Sequence, residues 1–185
     1  MSRRKTKVDP IEIFFQAGKM YDAHKILYSF APKQSVMGQS LLVPATILSS
    51  FCSELLLKCL FCLDKGYVIE GHNLKTLFDV LTPKTRQAIE QRWNRHADVS
   101  RDHWDKAEKK LGVKIERDLL SVLKVQGRTF DVMRYLHEKQ DWPYAFHMFQ
   151  FPDMLGNLIF ELKPEWVQKA QDLFNEMQKR GAEAA

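Results

Sequence analysis

Apolar residues recur at helical steps along most of the chain. Ile13, Ala17, Met20, His24, Leu27 and Ala31 fall three or four apart, which predicts a helix over residues 10–31 with His24 packed in its apolar stripe. Pro32 ends that helix, and a polar loop over 33–40 follows. The next segment, 43–64, is apolar around most of its circumference, so it reads as the central helix of a bundle, with Pro44 suited to its first turn. Its narrow polar strip is Ser50, Ser53, Glu54 and Lys58, the last two spaced for an intrahelical ion pair. Asn73 is a good cap for a short helix carrying Leu74, Leu77, Phe78 and Leu81 inward. Thr82-Pro83 opens another, to about residue 97, with Ile89 and Trp93 inward and Arg86, Arg92 and Arg95 outward. Residues 98–112 are charged and weakly periodic, a loop or frayed helix ending near Gly112.

From Val113 the periodicity resumes. Ile115, Leu119, Val122 and Leu123 form one stripe, and Phe130, Met133 and His137 another; the pattern leaves open whether Gly127 divides two helices or sits inside one. Trp142, Tyr144, Phe146 and Met148 alternate between prolines, which predicts an extended or hairpin-like piece over 142–152. Two helices close the chain, at 153–162 and 165–180, the second with Trp166, Ala170, Leu173 and Met177 on one side before Gly181. The layout is that of one all-α domain over residues 10–180, with a basic flexible tail at 1–9 and a flexible end at 181–185.

Composition changes this picture little: 185 residues suit one domain, and 45% apolar with 28% charged residues is the balance of a globular chain. The net charge of +5 is more informative, because Arg3, Arg4, Lys5 and Lys7 supply most of it. A solubilising arm, able to graze nucleic acid or anionic lipid, fits better than a broad cationic face for duplex DNA. No secretion-signal core follows the arm, and no apolar run is expected to span a membrane. Cys52, Cys59 and Cys62, an odd set in one apolar segment, read as buried hydrophobes of a cytoplasmic protein; the Cys59–Cys62 spacing has no second ligand pair for zinc.

Two stretches carry a family likeness. Ser53-Glu54-Leu55-Leu56-Leu57-Lys58 is followed by Gly71-His72-Asn73-Leu74-Lys75-Thr76-Leu77-Phe78, and later comes Phe130-Asp131-Val132-Met133-Arg134-Tyr135-Leu136-His137-Glu138. A glutamate-and-lysine helix, a Gly-His-Asn-Leu turn and a later Arg-Tyr helix, in that order, resemble bacterial HEPN-like proteins over residues 41–140. The resemblance implies an antiparallel helical bundle, usually a homodimer, that binds RNA or a nucleotide, in a defence or toxin–antitoxin setting. Many members are metal-independent ribonucleases with arginine and histidine separated by four to six residues. This chain departs from that pattern: Arg92 and His96 are separated by three residues, and Arg134 and His137 by two.

Arg134, His137 and Glu138 nevertheless share one helix face, as an altered-motif ribonuclease would require, with Arg134 on phosphate and His137 moving a proton. The alternative is a helix ion pair beside a packed histidine. Glu54 and Lys58 are candidates to face this trio as ligand-binding residues, together with His72 and Asn73; equally, His72 and Asn73 serve to shape the turn. The aromatics between Trp142 and Phe151 either stack bases or close the bundle end. Nothing in the pattern predicts a metal site, a cofactor, a phosphate-cradling glycine loop or a nucleophile elbow. The remaining alternative to RNA or nucleotide binding is a non-catalytic dimerising module with a protein partner.

Overall fold

The structure, a computed structural model, describes residues 8–30, 36–112, 114–135 and 149–183. Among them are nine helices and no strand: α1 (Pro10–Phe30), α2 (Val36–Lys65), α3 (Leu74–Asp79), α4 (Pro83–Val99), α5 (Arg101–Leu111), α6 (Leu119–Gln126), α7 (Thr129–Arg134), α8 (Phe151–Leu162) and α9 (Glu165–Glu183). The fold is all-α, a helical bundle built around α2. Cys52, Leu57, Cys59 and Leu60 on α2 are fully enclosed, because α1, α3, α7 and α8 each pack against a different part of its surface.

α1 and α2 run antiparallel. The thiols of Cys59 and Cys62, late in α2, face the Pro10 and Val8 carbonyls at 3.3 and 3.7 Å. At the other end, His24 donates from Nδ1 to the Ala45 carbonyl at 2.9 Å. Burial pushes the His24 imidazole below its usual pKa, so it stays neutral, as a histidine in an apolar stripe should. Phe14 anchors α1 to the closing helices, edge-on to Phe160 and tilted against Trp166.

Local capping chemistry sets the next elements where the sequence predicts them. Asn73 accepts from the Thr76 amide and starts α3; Thr82 accepts from the Thr85 amide and starts α4, with Pro83 in its first turn. Asp64 of α2 binds the Thr82 amide and the Thr85 hydroxyl, each at 3.1 Å, and so pins α4 to the core helix. Gly127 does divide two helices. It approaches the start of α3 closely: its carbonyl accepts from the Leu74 amide at 2.9 Å. A Cβ on Gly127 would stand 2.5 Å from the Leu123 carbonyl oxygen and 3.0 Å from Asn73 Oδ1, so only glycine fits.

Several boundaries differ from expectation. α2 begins at Val36, so the later part of the predicted 33–40 loop is helical and Pro44 lies inside the helix. A single missing N–H is tolerated there because packing of the residues that follow, Ala45 first, holds the segment. Of residues 98–112, Arg101–Leu111 form α5, ended by Gly112 at a left-handed φ of 66°, while Val99 still belongs to α4. The ordering of α5 is tertiary, with Trp104 buried against Trp93 and Arg117 bridging Asp105 and Glu108. Of the predicted extended piece, residues 142–148 lie outside the described residues, while 149–150 form a turn and Phe151 opens α8. α9 runs past Gly181 to Glu183, where a flexible end was expected. The basic residues 1–7 are likewise outside the described set. One stretch, Ser40–Lys65, is long and apolar enough to cross a membrane by composition, contrary to expectation; 67% of its most apolar 18 residues are buried inside the molecule, as befits a core helix.

Candidate functional site

Three of the predicted ligand-binding residues converge. Glu54 lies on the polar strip of α2 with only 1% of its side chain exposed. A carboxylate buried that far needs compensation from charge and hydrogen bonds. Lys58, one turn on, supplies an ammonium 2.7 Å from Oε1. His72, from the turn before α3, places Nδ1 3.1 Å from each carboxylate oxygen. The His72 side chain is 55% exposed, so one edge of the imidazole is anchored and the rest meets solvent. Its hydrogen bonds among the described residues all run through Nδ1. With Nδ1 turned to Glu54, Nε2 is the ring nitrogen left for another partner.

The fourth, Asn73, does something else. Its side chain caps α3 and meets the Gly127 junction, which fixes the backbone that carries His72.

α7 forms the other wall. Phe130 stacks on Phe51 of α2 at 5.1 Å between ring centroids and lies 5.9 Å from the His72 ring. The exposed Arg134 guanidinium sits 4.3 Å from the Phe130 centroid, and its Nε donates to the Phe130 carbonyl. Arg134 therefore comes to the same aromatic ring as His72. The remaining members of the predicted trio, His137 and Glu138, lie outside the described residues. Glu54 itself is sealed beneath His72 and Lys58, a buried and internally paired polar group.

Beside this wall α2 presents hydroxyls. Thr46, Ser49, Ser50 and Ser53 border a recess of about 20 Å³, closed by Gln126, Thr129 and Phe149 and roomy enough for about one water. Ser53 and Thr46 donate back to the Ser49 and Leu42 carbonyls, whereas the buried Ser50 hydroxyl has no partner among the described residues. Sequence reasoning missed Phe51 and Phe130 as parts of the site. Their spacing matches the core stripes, and only the tertiary stack distinguishes them.

Among the described residues no cluster of histidine, cysteine, aspartate and glutamate is placed to hold a metal ion. No family model matches the chain, and neither a curated protein nor a solved structure matches it significantly.

Proposed function

We infer that the chain is a HEPN-like helical domain that binds RNA, or a nucleotide, on the face made by the Gly71–Asn73 turn and α7. The observation that carries this reading is the half-exposed His72, held at Nδ1 by a buried glutamate and sharing the Phe130 ring with Arg134. Lys58 offsets the charge of Glu54 within the protein, and Arg134 brings a guanidinium to the same face. A guanidinium suits a phosphate, and the imidazole beside it suits a 2′-hydroxyl or a second phosphate oxygen. The same groups support the narrower reading of an altered-motif ribonuclease, in which an anchored imidazole takes the 2′-hydroxyl proton and the arginine steadies the phosphate. A homodimer in a defence setting rests on the family resemblance alone, and a cytoplasmic location on the three unpaired cysteines.

The test is binding and cleavage of labelled single-stranded RNA in chelator by the wild type, His72→Ala, Arg134→Ala and His137→Ala. Loss of about tenfold in affinity is expected for Arg134→Ala, the scale of one charge-assisted contact. Cleavage abolished in His72→Ala or His137→Ala identifies the histidine that moves the proton. Equal retention of RNA by all four proteins would remove this face from the function.

A further inference from the structure

α1 and α8 flank a second cleft, away from His72. It has a volume of about 430 Å³, within the range of small-molecule sites (roughly 300–1,000 Å³). Interiors are normally packed without such spaces. Two glycines help open it, Gly18 in the middle of α1 and Gly156 in the middle of α8. Glycine is the poorest helix former after proline, and its usual justification inside a helix is close approach of a neighbour. Neither glycine has that justification: a Cβ at either position would meet no atom within 4 Å. What the two missing side chains provide is space on the same cleft.

The lining has two characters. Phe14, Phe15, Leu56 and Phe160 make apolar walls. At one end, the Tyr21 hydroxyl donates to Oδ1 of the half-buried Asp153, and Asp22 stands at the solvent edge. Among the described residues neither aspartate has an ion-pair partner; Lys25 lies over the Tyr21 ring, 4.7 Å from its centroid, and Lys19 is exposed at the rim. The negative field is felt at the floor of the cleft. Burial, followed by the charges of Asp153 and Asp22, pushes the Cys52 thiol up to about 12.

We propose that this cleft binds a small organic amine, its aromatic or branched apolar body between the phenylalanines and its ammonium on Asp153. Tyr21 holds the carboxylate in place, and the ring faces add cation–π attraction for the ammonium. The charge at the polar end selects against carboxylates of the same shape.

The experiment uses the full chain and three probes of one shape: 2-phenylethylamine, 2-phenylethanol and 3-phenylpropionate. Affinities are read by calorimetry and saturation-transfer NMR. The amine is expected to bind at least about tenfold more tightly than the alcohol, an advantage lost in Asp153→Asn. Gly156→Leu places a side chain in the open space and improves helix propensity, so it is expected to raise Tm while abolishing amine binding. The proposal is overturned if the amine does not bind, if the propionate binds equally well, or if Gly156→Leu retains full affinity.

Discussion

Glu54 illustrates what a single residue can require of its surroundings. Its carboxylate is sealed in the core, so removing one partner leaves charge that water does not reach. Lys58→Met should therefore cost about 1–3 kcal/mol in urea denaturation. The double variant Glu54→Leu with Lys58→Met should recover most of that loss, since a buried pair and an apolar pair are often of similar stability. The recovered double variant is still expected to lose RNA, because His72 no longer has its anchor. His24 gives a residue-scale dependence on pH. Its folded-state pKa lies below the ordinary value of about 6.5, so the unfolded chain takes up a proton first. Stability should hold above that pH and fall as pH drops through the window down to the depressed value. His96 is shifted the same way by burial and adds to the slope. His24→Phe should flatten the urea midpoint against pH over that window; an unchanged slope would assign the effect elsewhere.

At the scale of elements, what could be read in advance follows how local the cause is. The starts of α3 and α4 were legible because Asn73 and Thr82 act on amides three residues on and Pro83 has its φ preset for a first turn. The Glu54–Lys58 pair was legible for the same reason, both residues lying on one helix face. α5 was legible only as a loop or a frayed helix ending near Gly112, because its order comes from Trp93 and Arg117, which belong to other parts of the chain. His72 and Arg134 could be named beside Glu54 as candidates, but the contacts themselves, His72 with Glu54 eighteen residues away and with Phe130, are tertiary and lie beyond any local pattern. The early start of α2 was hidden by Pro44, whose local preference is overridden by the packing that follows it. Gly127 was noticed, but its necessity is tertiary. Gly127→Ala should destabilise by about 1–3 kcal/mol, the usual cost of forcing extra atoms into a filled space. Because the α6–α7 junction rests on the cap of α3, the same substitution should shift the His72 ring resonances in NMR spectra. A stability loss without that shift would mean the junction does not position the imidazole.

For the whole molecule, α2 is the axis, and its three thiols report on global integrity. Cys52, Cys59 and Cys62 are free and buried, and burial raises the pKa of each. Near neutral pH the native protein should resist alkylation, with all three cysteines labelled together at the rate of global opening. Rapid labelling of one alone would reveal a local opening along α2. The antiparallel pairing of α1 with α2 also has a consequence in time. Synthesis delivers the chain from its N-terminus, so this hairpin is finished long before α8 is made. Until then Phe14 and Leu56, which later face α8 across the cleft, have only the hairpin to cover them. The nascent protein thus passes through an interval in which an apolar surface is already built and its cover is still unwritten, the kind of surface that chaperones shield.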